Sequence, residues 1–276
     1  MKIFHILIFA CAGSLITACA STPHTTYNPH ESKALNITRA AGIDEDLKDV
    51  ELPRESYDKI SKYTSFKTAT IGLGYNAPFP GLSGNQMVGL GIFSLLLSPE
   101  SKANRNSLFA WIPSNVSNPR DKLADILLEA SEKAANEMGL TAKTSVSKKG
   151  KSGVSVTLTG SDECKDYGKP KDLCWIAFGI AKASKNDNTP NFIMKERSKD
   201  SWFFDPSKRT YSRYVFNEHN KNFNQVAFLL HVSKYLPEGV YFYVAPNELQ
   251  YSENQKLKVP VIISEGEILH FIHSTS

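Results

Sequence analysis

The sequence predicts an α+β fold built mainly on antiparallel sheet, and three observations predict it. Short runs rich in aromatic and β-branched residues recur from residue 107 onward, two longer segments carry apolar residues at helical spacing, and each helical segment stands before a pair of strand-like runs. Taken in order, residues 107–112 (Ser-Leu-Phe-Ala-Trp-Ile) read as a strand. Residues 119–138 read as a helix: Asn118 or Ser117 can cap it, Pro119 suits its first turn and Gly139 its stop. Leu123, Ile126, Leu127, Ala130, Ala134 and Met138 fall on one face, with Asp125, Glu129, Glu132 and Lys133 largely off it, so this stripe is expected to be core. Residues 143–151 are basic and are expected to form a solvated loop before a strand, within reach of glycolipid phosphates. Residues 153–159 and 174–180 supply two strands.

The second half repeats this order of elements. Residues 211–216 read as a strand and 222–235 as a helix, with Phe223, Val226, Ala227 and Leu230 inward and Gly239 just beyond. Runs at 240–244, 259–263 and 267–272 follow, the last two joined by a turn at Ser264-Glu265-Gly266-Glu267. Two β-α-β-β units are the expectation, although the residues themselves do not repeat.

Composition agrees with a folded body: 41% hydrophobic, 11% aromatic and 22% charged residues in 276, with a net charge of +4. That charge is too near balance to imply a nucleic-acid partner. Residues 3–18 are free of Asp, Glu, Lys and Arg behind the single Lys2, and at 16 residues they fall short of the roughly 20 needed to span a bilayer. A positive residue, a short apolar run and small residues before a cut site form a secretory signal.

The end of that run, Ile16-Thr17-Ala18-Cys19, resembles the lipobox of a bacterial lipoprotein. The resemblance implies that the Cys19 thiol takes a diacylglyceryl group and becomes the acylated first residue once 1–18 are removed. Several acyl chains on one residue, at about 0.8 kcal/mol per buried methylene, make a stable anchor. Ala20 follows Cys19, where Asp is the usual inner-membrane retention signal among such lipoproteins, so the expected place is the periplasmic face of the outer membrane. In that oxidising compartment Cys164 and Cys174, the two cysteines left in the folded part, are expected to form a disulfide. It would clip a loop between two strands and contribute roughly 3 kcal/mol in the chain-entropy model.

Behind Cys19, residues 19–47 carry few large apolar groups and are expected to be a flexible tether with a reach of about 30 Å. Residues 45–62 are charge-rich, with a short helix interrupted at Pro53. Residues 48–106 form a Gly-rich apolar region before the α+β body at 107–276. Six glycines lie between Gly72 and Gly91, and Met87, Leu90 and Phe93 belong to an apolar run at 87–97 that suits either a buried helix or docking on a partner or lipid surface.

Candidate chemistry is fragmentary. Gly81-x-Ser83-Gly84 falls one residue short of a nucleophile elbow. His270 and His273 point to opposite faces of a strand and are expected at a solvated edge, so no metal is expected there. Glu218, His219, His231 and Asp205 have no motif that joins them into a triad, and Glu265 and Glu267 sit across a turn. No catalytic residue, cofactor or metal is therefore assigned. The better surface candidate is Trp202-Phe203-Phe204 with Lys208, Arg209, Tyr211, Arg213 and Tyr214: aromatics interleaved with cations can stack on sugars or anchor a protein interface. Alternatively, Trp202 and Phe204 face the core. The leading expectation is a non-enzymatic envelope scaffold or accessory subunit, held to the membrane through Cys19, with an envelope protein as partner and possible peptidoglycan or glycolipid contact. A periplasmic hydrolase of cell-wall or ester substrates and a glycan-binding module are the alternatives.

Overall fold

The computed structural model of the protein describes residues 26–43, 47–62, 102–147, 151–164, 173–195, 200–208, 210–217, 223–252 and 255–275, with side chains described except at 59–62, 247–252 and 255–258. The elements are α1 (Lys33–Ala40), β1 (Val50–Pro53), α2 (Arg54–Lys62), a 3-10 turn (Lys102–Asn104), β2 (Ser107–Pro113), α3 (Pro119–Glu137), β3 (Thr141–Val146), β4 (Gly153–Thr159), β5 (Cys174–Gly179), β6 (Ser184–Asn186), β7 (Ser201–Phe204), β8 (Arg213–Phe216), α4 (Gln225–Ser233), β9 (Val240–Ser252), β10 (Gln255–Ser264), β11 (Glu267–His270) and β12 (Ile272–Thr275). The fold is α+β with antiparallel sheets. One has six strands in the order β11-β10-β9-β2-β7-β6, another four in the order β3-β4-β5-β8, and β1 pairs in parallel with β12.

Both expected β-α-β-β runs occur in chain order, but neither stays in one sheet. Strand β2 joins β9 of the second run, whereas β3 and β4 build the small sheet; β8 joins that small sheet beside β5, whereas β9 and β10 build the large one. The two sheets meet face to face where they exchange strands. Phe242 of the large sheet stacks on Phe178 (centroids 6.0 Å) and meets Tyr214 edge-on (5.5 Å), and the Tyr214 hydroxyl donates to the Tyr243 carbonyl at 2.9 Å. Away from that contact α3 lies on β3 and β4, α4 lies on β9, β10 and β11, and the two helices pack on each other.

Burial follows the side-chain periods. In β4, Val154, Val156 and Leu158 are buried while Gly153, Ser155, Thr157 and Thr159 are half-buried, the alternation of a sheet with one face on the core. In β2 all of Ser107 to Ile112 is buried, because the large sheet is covered on both faces. Leu108, Ala110 and Ile112 face the helices and small sheet; Phe109 and Trp111 face a second core made with Phe203, Tyr241, Tyr243, Ile262 and Phe271. The stripe of α3 runs through Leu123, Leu127, Ala130 and Ala134, with Ile126 and Met138 at its margin. Asn224 caps α4 through its side chain, which accepts from the Ala227 amide at 2.9 Å. The turn between β10 and β11 places Glu265 at φ 53 and Gly266 at φ 75, the left-handed pair a two-residue type I′ hairpin needs. Gly239, at φ 88, is also required by space: a Cβ there would stand 2.9 Å from the Trp111 carbonyl oxygen.

Several expectations are corrected. Within 19–47, residues 26–43 belong to the body rather than a tether: α1 covers the second face of the large sheet with Ala34, Leu35, Ile37, Ala40 and Ile43 all buried. Ser32 caps α1 and binds Asp49 through its hydroxyl (2.5 Å) and amide (2.6 Å). The basic stretch 143–151 is not simply a loop, since Lys143 to Val146 pair with β4 as the edge strand β3. Pro53 ends β1 and α2 starts directly after it, so the helix is bounded by proline rather than interrupted. The run 267–272 divides at Phe271, and His270 is buried rather than solvated. Cys164 and Cys174 are disulfide-bonded and both lie in the core. No helix among the described residues is long and apolar enough to cross a membrane.

Candidate functional site

The outward face of the small sheet carries an open concavity. Because side chains alternate along each strand, β3 presents Lys143 and Ser145, β4 presents Gly153, Ser155 and Thr157, β5 presents Trp175, Ala177 and Gly179, and β8 presents Arg213 and Val215. Register aligns these into rows: Gly153, Gly179 and Arg213 in one, then Ser145, Ser155, Ala177 and Val215, then Lys143, Thr157 and Trp175. The first two rows floor an open groove of about 300 Å³. Its depth comes from missing side-chain volume at Gly153, Ala177 and Gly179. The Ser145 and Ser155 hydroxyls share a 2.7 Å hydrogen bond across the floor.

Arg213 is the only charged residue among the described residues that line the groove. Its side chain lies along Gly179, where a Cβ would meet Arg213 Cγ at 3.6 Å and Nε at 3.7 Å. Burial lowers its pKa below the ordinary arginine value, offset by a side-chain hydrogen bond with Tyr211; it remains a cation at neutral pH. Arg105 lies over the Tyr211 ring, its Cζ 3.7 Å from the centroid, and is fixed by a 2.6 Å bond from Nη2 to the Pro206 carbonyl. Arg213 is therefore held at the rim by a neighbouring aromatic.

The aromatic and basic residues expected to form one surface are dispersed. Phe203 stacks on Trp111 at 4.7 Å within the second core, and Phe204 is wholly buried in the first, so neither presents a face to a ligand. Consecutive residues of a strand covered on both sides must go to opposite cores. Trp202 is half-buried; its indole N–H donates to the Val116 carbonyl at 2.9 Å, and Lys185 lies over its ring at 5.7 Å. Tyr214 bridges the sheets from within. Of the described members of that set only Arg213 lines the groove, with Tyr211 hydrogen-bonded to it from outside. Arg209, Met87, Leu90, Phe93, Cys19, Ser83, Glu218 and His219 lie outside the described residues.

No protein-family model, curated protein or solved structure matches the chain.

Elsewhere, the densest titratable cluster joins α3 to α4. The Glu137 carboxylate accepts from Lys234 Nζ at 2.6 Å, His231 Nδ1 at 2.9 Å and Tyr235 Oη at 3.3 Å. Hydrogen bonds from Lys234 and then His231 hold Glu137 down at about 2. These groups satisfy one another and clamp two helix ends. Among the described residues no three His, Cys, Asp or Glu side chains converge as a metal site would require. The groove was hidden from sequence reasoning because its floor consists of small residues. Its signal is the outward half of the alternation, Gly153-x-Ser155 and Ala177-x-Gly179, in strands that otherwise favour bulky side chains.

Proposed function

We propose that this is a lipid-anchored cell-envelope protein, held through acylated Cys19 at the periplasmic face of the outer membrane, that serves as a non-enzymatic scaffold or accessory subunit. Its partner docks on the open face of the small sheet. The lipobox-like Ile16-Thr17-Ala18-Cys19 supports the anchor, and the core disulfide between Cys164 and Cys174 suits an oxidising compartment. The observation that carries the docking reading is the groove itself. A shallow floor of Gly153, Ser155, Ala177 and Gly179 lets a backbone approach closely, and Arg213 at its rim favours a segment that brings a carboxylate or another anion.

The test is a photo-cross-linking residue at Ala177, with a second at Ser145, in the full chain expressed in intact cells. One envelope protein captured at both positions, and lost when Gly179→Arg fills the floor without lowering the thermal midpoint, is the expected result. Capture unchanged by the filled floor, or no capture from a folded, membrane-bound protein, overturns the docking reading.

A further inference from the structure

Resting on the acylation of Cys19 proposed above, we infer that the corner formed by Tyr27 and Phe192, on the α1 side of the body, is the surface that lies against the lipid headgroups, and that the groove is held on the opposite face. The first ground is how soon the folded body begins. Asn36, buried in α1, receives the Asn28 amide on Oδ1 at 2.7 Å and donates from Nδ2 to the Asn28 carbonyl at 2.9 Å. The chain is thus pinned to α1 at residue 28. Eight peptide steps separate Cys19 from Tyr27, a contour of at most about 28 Å even when fully extended.

The second ground is the order of layers. Helix α1 and the 190–195 segment cover one face of the large sheet; Phe242 on its other face meets Phe178 of the small sheet, whose outer face carries the groove. With about 10 Å for each packed layer, α1 and the groove floor lie on the order of 20–30 Å apart through the molecule. A groove-down orientation would require the chain from Cys19 to run around the body to the far side. Its contour, at most about 28 Å, is no longer than that thickness and leaves no length for a path around the edge of the body.

The third ground is the chemistry of the corner. Tyr27 is one of three large hydrophobic side chains left exposed among the described residues, at 43%, and it meets Phe192 edge-on with centroids 5.4 Å apart. Half-buried Met194 lies beside them in sequence, and exposed Lys33 and Lys195 follow within a few residues. An amphipathic tyrosine beside a phenylalanine, flanked by lysines, is suited to the boundary between headgroups and acyl chains.

The acylated full chain, purified from membranes, is reconstituted into vesicles of phosphatidylethanolamine and phosphatidylglycerol containing a headgroup-nitroxide lipid. A polarity-sensitive fluorophore is attached at Tyr27→Cys, at Phe192→Cys as a second site in the same corner, or at Ser145→Cys on the groove edge; unchanged thermal midpoints establish that each variant is folded. Quenching several-fold stronger at 27 and 192 than at 145 is the expected result. Equal quenching at all three, or stronger quenching at 145, overturns the orientation. Intact mass of the same preparation separates the two readings: a chain without a diacylglyceryl group on Cys19 removes the anchor and the orientation with it, whereas an acylated chain with the wrong quenching pattern removes the orientation alone.

Discussion

Neither ring nitrogen of His270 has a hydrogen-bond partner among the described residues, although the residue is only 7% exposed. Burial among apolar groups pushes its pKa down to about 4. A folded value below the unfolded one, about 6.5, fixes the sign: stability is fully present above pH ~6.5 and declines as pH falls toward 4, because the unfolded chain takes up a proton that the fold refuses. The loss is on the order of 3 kcal/mol. His270→Leu removes both unsatisfied groups, so it is expected to stabilise by about 1–2 kcal/mol at pH 7.5 and by clearly more at pH 5, read as urea midpoints against wild type. Glu137 works in the opposite chemical sense. Its depressed pKa stabilises the fold above the ordinary glutamate range and is lost as pH falls toward 2. Because its side chain is 35% exposed, solvent screens the interaction, and Glu137→Gln is expected to cost only about 1 kcal/mol, less at high salt, measured by the same denaturation.

At the scale of elements, the disulfide closes a loop of sequence separation 10 between the end of β4 and the start of β5. Reduction is expected to lower stability by roughly 3 kcal/mol, with the thermal midpoint in reductant compared against Cys164→Ala/Cys174→Ala as the check. Helix α3, strands β4 and β5, and the β10–β11 hairpin were legible in the sequence, because amphipathic period, strict alternation and a Glu-Gly turn are local signals. Helix α1 was not. Its large apolar residues, Leu35 and Ile37, are few and scattered among polar ones, yet it is buried almost all round because the large sheet offers a full second face. Asn36 and Thr38 are buried there with their hydrogen bonds made within α1 and to Asn28, which conceals a core helix behind a polar sequence. The aromatic run at 202–204 left two readings open, and the one with Trp202 and Phe204 toward the core agrees with the structure: Phe204 is buried in the first core and Trp202 packs against it, a choice set by elements distant in sequence that cover β7. The groove was illegible because three strands, β4, β5 and the distant β8, must align before Gly153, Gly179 and Arg213 share a row.

For the whole molecule, the proposed anchor rests on one residue. Cys19→Ser is expected to move the protein from the membrane pellet to the periplasmic soluble fraction while leaving its melting curve unchanged, because no described core residue depends on the acyl group. The exchange of strands between sheets has a further consequence. Residues 102–186 contain β2, which needs β9, and residues 188–275 contain β8, which needs β5. A chain cut after Asp187, in the exposed turn between β6 and β7, would give two fragments that each lack an essential neighbour. Expressed separately, they are expected to aggregate or stay unfolded; expressed together, they should assemble and co-purify as a complementing pair. Such a cut would turn the protein into a split reporter, whose two pieces are expected to regain a folded body only when they find each other.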